Sequence, residues 1–162
     1  GVVENGKSLG ESYSGGNICV AGATATISGG IVTGGEAREG GNISIRAGGK
    51  LTISGGTFLA VGSSGMAESA ENKGQAVLAA YWRGTGLSAG EIIGIVDADG
   101  KVFAAFELPK AIASIVFSSP ELKAGTTYSI VGGGSATGTA TDGVIDPATY
   151  TGYESMGKVE AY

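Results

Sequence analysis

The sequence has no histidine, one cysteine and three prolines, and each shortage removes a class of function. Without histidine, Ser-His-Asp and Cys-His catalysis are excluded in their usual forms, and so are histidine-ligated metals. Cys19 has no second thiol for an internal disulfide and no imidazole to activate it. Charge is scarce as well, at 15% of residues. Ten Lys+Arg against 15 Asp+Glu leave a net charge of -5, with no basic run. Nucleic acid is a poor partner for such a surface, because phosphate neutralisation is what sustains that binding. Apolar stretches such as Ile92–Val96 and Ala111–Phe117 fall far short of the roughly 20 residues a membrane helix needs.

What remains is glycine and small apolar residues. There are 32 glycines and no Gly-X-Y triplet, which excludes collagen. Apolar residues make up 42%, mostly Val, Ile and Ala interleaved with Thr and Ser, so disorder by charge and polarity is excluded too. A length of 162 suits one domain, or a repeat array with a cap, with enough chain to bury a core. The chain opens at Gly1 without methionine, as a trimmed or mature product would, and its beginning reads as processed.

An internal repeat occupies the N-terminal third. Gly15-Gly16-Asn17-Ile18-Cys19-Val20 returns as Gly40-Gly41-Asn42-Ile43-Ser44-Ile45, an offset of 25. Thr26-Ile27-Ser28-Gly29-Gly30-Ile31 returns as Thr52-Ile53-Ser54-Gly55-Gly56-Thr57, an offset of 26. The extra residue must fall between the two motifs, around Ala47 to Lys50. Within each repeat, apolar and small polar residues alternate with the period of a half-buried strand, and Gly-Gly pairs mark corners. Short strands, glycine corners and a period near 25 predict a parallel β-helix, with Ile18 stacked on Ile43 and Ile27 on Ile53 in one inward column. On the same ground Ile27 and Ile53 are expected to be equally buried.

From about Lys73 to Val131 no Gly-Gly pair occurs. Gln75–Trp82, Glu91–Val96, Lys101–Glu107, Ala113–Phe117 and Thr126–Val131 read as longer strands. Asp97-Ala98-Asp99-Gly100 reads as a hairpin tip, and Asp97 and Asp99 as turn formers rather than the start of a calcium loop. Ser119, Pro120 and Gly125 carry the signature of a single helical turn. The expected fold is therefore all-β: a short solenoid over residues 1–72, a β-rich cap over 73–135 that shields its open end, and a C-terminal tail over 136–162.

The run Thr52-Ile-Ser-Gly-Gly-Thr-Phe-Leu-Ala-Val-Gly-Ser-Ser-Gly-Met-Ala67, followed by Phe117-Ser-Ser-Pro-Glu-Leu-Lys-Ala-Gly-Thr-Thr-Tyr128, resembles the C-terminal half of a bacterial family of carbohydrate-binding domain-containing proteins, over about residues 50–136. The resemblance implies a secreted or cell-surface, right-handed parallel β-helix of the pectate-lyase-like kind, binding cellulose-like or acidic polysaccharide, with calcium on the coils. Residues 15–45 look instead like the Gly-Gly-Asn-Ile repeats of large bacterial surface proteins, whose coils serve as stalks.

Candidate site residues follow from chemistry. Sugar rings stack on exposed aromatic faces beside polar groups, and Tyr81-Trp82-Arg83 offers that combination. Neighbouring strand residues point to opposite faces, so one aromatic faces outward and Trp82 is the alternative filler of the cap core. Arg46 and Lys50, in the coils, suit an acidic glycan; with Arg38 they are also the available bases for a lyase. Glu36 and Glu39 are the carboxylates placed to offer oxygens to calcium, although solubilising charge is their simpler role. Asn17 and Asn42, at equivalent positions, suit a stacked amide pair between coils. Three functions stay open: polysaccharide binding without catalysis, a structural stalk or adhesin segment, and a polysaccharide lyase-like enzyme.

Overall fold

The computed structural model describes residues 2–4, 17–33, 43–62, 74–82, 86–108, 111–141 and 144–162. The chain is all-β. In chain order the strands are β1 (Val2–Glu4), β2 (Ile18–Ala21), β3 (Thr24–Ile27), β4 (Gly30–Thr33), β5 (Ile43–Arg46), β6 (Lys50–Ile53), β7 (Phe58–Gly62), β8 (Val77–Tyr81), β9 (Ile92–Val96), β10 (Val102–Glu107), β11 (Ser114–Ser118), β12 (Thr127–Gly132), β13 (Ser135–Thr141), β14 (Val144–Thr151) and β15 (Glu154–Glu160).

The repeats stack as parallel strands in the register expected of them. β2 lies on β5 with Ile18 opposite Ile43, and β3 on β6 with Ile27 opposite Ile53. β1, β4 and β7 form a third parallel row. Ala21 pairs with Arg46 and Thr24 with Lys50, so the extra residue of the second repeat is absorbed at the corner Ala47-Gly48-Gly49. There Ala47 and Gly48 take positive φ, and the Gly49 amide donates to the Arg46 carbonyl at 2.8 Å. A Cβ on Gly49 would collide with the Val20 carbonyl of the strand stacked on it, so only glycine turns this corner.

The rest of the chain corrects the expectation of a solenoid with a modest cap: seven of the eleven strand pairings among the described residues are antiparallel. β7 is the junction. It pairs parallel with β4 on one edge and antiparallel with β11 on the other, giving a five-stranded sheet β1-β4-β7-β11-β8. A second, six-stranded sheet has the order β13-β14-β10-β9-β12-β15. The segment expected as a tail thus supplies three of its strands. Ser119 to Gly125 forms turns and no helix: the Ser119 hydroxyl accepts from the Glu121 amide at 3.3 Å, the first bond of a cap, but the chain passes on after one Leu122 N–H to Ser119 C=O bond. Too few residues separate β11 from β12 to propagate a helix.

The central sheet is buried on both faces. Alternate residues Leu59, Val61, Leu78, Ile115 and Phe117 pack against Ile93, Ile95, Ala104, Phe106, Tyr128 and Ile130 of the second sheet. Their neighbours Phe58, Ala60, Val77 and Val116 join Ile43, Leu51 and Ile53 in a second core among the parallel strands. All five residues of β11 are therefore buried, which explains why its sequence is apolar without alternation. Gln75 and Tyr162 tie the parallel strands to the neighbouring β8 and β11. The Gln75 amide donates to the Ile53 carbonyl at 3.2 Å, and its side-chain amide donates to Gly56 O and Ser118 Oγ, both at 2.8 Å. Tyr162 exchanges backbone bonds of 2.9 and 3.0 Å with Val77 and packs into the coil core. No helix among the described residues is long and apolar enough to cross a membrane.

Candidate functional site

Strand alternation decides the fate of the aromatic pair. On β8, Leu78 and Ala80 face the sandwich, and Trp82, next in that series, follows them. Its indole Nε1–H donates to the Met156 carbonyl at 3.2 Å, which satisfies the one polar group of a side chain otherwise packed against apolar neighbours. Trp82 is thus a structural side chain. Tyr81 points the other way and is 48% exposed, the one large hydrophobic side chain that is exposed among the described residues. Its cross-strand partner on β11 is the small residue Ser114. Arg83, the third member of the candidate triplet, lies outside the described residues.

Arg46 ends β5 and Lys50 begins β6, and both are exposed. The fold brings these two together as flanks of the Ala47-Gly48-Gly49 corner. It sets Tyr81 in a different sheet, so the basic pair and the aromatic stand on separate elements. No cluster of three or more acidic, histidine or cysteine side chains that could hold a metal ion stands among the described residues. Arg38, Glu36, Glu39 and Asn42 lie outside the described residues, and with Asn42 goes the stacked-amide expectation for Asn17.

Asp97 has the role assigned to it. Its carboxylate accepts from the amides of Asp99 at 3.0 Å and Lys101 at 2.8 Å, and Gly100 turns the tip at φ 83°. A carboxylate so engaged is a turn former.

Sequence reasoning missed a polar surface on the hairpin β13–β14. Ser135 pairs with Thr151 and Thr137 with Thr149, all four exposed, and the Thr137 and Thr149 hydroxyls lie 2.6 Å apart. The signal was Thr at alternate positions 137, 139 and 141, hidden by assigning the region to a tail. The hairpin's inner side is anchored by Tyr150, whose hydroxyl donates toward the carbonyls of Gly133 at 2.9 Å and Ile92 at 3.2 Å. Burial, with Tyr153 adding a smaller contribution, pushes its pKa up to about 12.

Compared with known proteins, the chain matches no family model, no curated protein and no solved structure.

Proposed function

We propose that this chain is a structural end module of a secreted or cell-surface, repeat-built protein: β2 to β7 belong to coils of a right-handed parallel β-helix, and the antiparallel remainder closes one end of it. The observation that carries this reading is the dual role of β7, which continues the parallel row on one edge and starts the antiparallel sandwich on the other. A solenoid exposes an apolar interior and unpaired edges where it stops, and Val77, Val116, Gln75 and Tyr162 cover both at this end. Right-handedness follows from the general rule for parallel crossovers.

A second reading, weak binding of an extended polysaccharide, is favoured by the exposed Tyr81 and by the hydroxyl-lined hairpin β13–β14. Retention on insoluble cellulose and on pectate, with and without a calcium chelator, separates the two. A structural module passes through both columns. Retention that Tyr81→Ala abolishes would replace the structural reading with the binding one, and release of unsaturated uronate from pectate would replace both with a lyase.

A further inference from the structure

Among the described residues the coil stack is covered at the β11 end, while at the other end its first two rows stop at β2 and β3. Ile43 and Ile53 are buried to 0% and 1% exposure, yet Ile18 and Ile27, their partners one coil out, are only partly buried. Nothing in the sequence distinguishes these isoleucines; what differs is the layer above them. Among the described residues, no strand pairs with the second edge of β2 or of β3, because each belongs to a sheet of two. Those edges present amides and carbonyls that a parallel strand would satisfy.

The third row answers what such a strand would be. There β1 already lies parallel on β4, with Val2 opposite Ile31 and Val3 opposite Val32, so this row is three strands deep where the other two are two deep. Gly1-Val2-Val3 also repeats the pattern of Gly30-Ile31-Val32. In both complete repeats the strand of the third row follows strands of the first and second rows (β2, β3, β4; then β5, β6, β7). β1 has the position of the third strand in a further repeat.

We propose that the open edges of β2 and β3 are an acceptor for one more coil, entering directly ahead of β1, with one aliphatic side chain over Ile18 and another over Ile27. This rests on the coil reading above. The occupant that fits is a strand pair with the pattern of residues 15–29, Asn-Ile-x-Val then Thr-x-Thr-Ile, because its last residue would meet Gly1 as Gly29 meets Gly30. Alternation would place its isoleucines inward, where they would cover the two half-exposed ones.

The test extends the full chain at its N-terminus with a copy of residues 15–29 and compares amide hydrogen exchange with the unextended protein. Exchange at β2 and β3 is expected to slow by roughly tenfold or more, with β9 to β12 unchanged. A second extension, with both isoleucines of the added copy replaced by aspartate, should give no such slowing. Unchanged exchange at β2 and β3, equal slowing with the aspartate version, or faster exchange at β5 and β6 would each overturn the acceptor. The coil reading itself has a separate readout: in the unextended protein, amides of β5 and β6 must already be protected, and their free exchange would overturn that reading instead.

Discussion

The two halves of the molecule solve the same problem with different means. In the parallel-stranded half, which the proposed function reads as coils, β2 to β6 are four residues each and turn at glycine, and the core they line is mostly Ile and Leu with Phe58. In the sandwich, strands of five to eight residues bury Phe106, Phe117 and Tyr128 among aliphatic side chains. Polar groups are handled differently too. The sandwich satisfies its buried hydroxyls, as Tyr128 does by accepting from the Lys123 amide at 3.0 Å. Ser44 on β5 and Tyr162 in the coil core keep buried hydroxyls without partners. An orphaned hydroxyl costs about 1–3 kcal/mol, so the coil half tolerates a loss that the sandwich half avoids. The coils therefore depend on the sandwich through β7, β11 and β8, which belong to both cores.

Large-to-small substitutions along that gradient test the dependence. Phe117→Ala, on the strand buried from both sides, should cost about 3–5 kcal/mol and lower the stability of both halves together. Ile53→Ala should cost about 2–5 kcal/mol, and Ile27→Ala less than about 2 kcal/mol because part of that side chain already meets solvent. Urea unfolding followed by exchange in each half supplies the numbers. Equal losses at Ile27 and Ile53 would erase the difference in burial between these two paired isoleucines. Separate transitions for coils and sandwich would show that the shared sheet does not couple them.

Glycine corners give a smaller, cleaner contrast. A Cβ on Gly56 would lie 2.5 Å from Ser28 O and 2.9 Å from the Gly29 Cα of the coil above, and Gly56 has φ 67°. The neighbouring Gly55 would meet nothing within 4 Å. Gly56→Ala should therefore cost about 1–3 kcal/mol, while Gly55→Ala stays within about 0.5 kcal/mol. Similar thermal midpoints for the two variants would mean that the corners do not stack as described.

How much of this was legible in the sequence depended on whether the signal was periodic or relational. The register of Ile18 on Ile43 and Ile27 on Ile53 was readable because equivalent residues of a repeat must stack, and the corner at Ala47 to Lys50 because two offsets differed by one. The strands from β8 to β12 were readable from Val, Ile, Phe and Tyr between turn residues. What could not be read was which strand pairs with which. Nothing local to Phe58–Gly62 says that its second edge takes an antiparallel partner more than 50 residues on, and that one pairing turns a cap into half the molecule. Unequal burial of Ile18 and Ile43 is equally invisible, since it depends on a layer and not on the residue. For the candidate site, alternation limited Tyr81 and Trp82 to opposite faces, but only the packing of Met156 decided which of them is inside. β13 and β14 were missed because Thr, Gly and Ala carry weak strand signals and their pairing is set by the sheet they join.

The finest contrast between the halves is a pair of tyrosines. Tyr150 donates to two backbone carbonyls over the outer face of β9, where a Cβ on Gly94 would strike its ring; Tyr162 lies against the coil core with its hydroxyl unpartnered. Removing the hydroxyl should therefore act in opposite directions. Tyr150→Phe leaves two acceptors with one donor fewer and should cost about 0.5–1.5 kcal/mol at neutral pH. Tyr162→Phe removes an unsatisfied group and should be neutral or stabilising. A pH series sharpens the first half of the contrast. The folded-state pKa of Tyr150 is raised from 10.0 to about 12, so above the unfolded value the folded state holds the proton more tightly and unfolding releases it. The Tyr150 contribution is fully present below pH 10.0 and is lost as the pH rises through the interval to about 12. Denaturant midpoints should fall more steeply across that interval in the native sequence than in Tyr150→Phe. Parallel slopes for native and Tyr150→Phe would place the alkaline loss elsewhere and leave the β13–β14 hairpin without the anchor assigned to it.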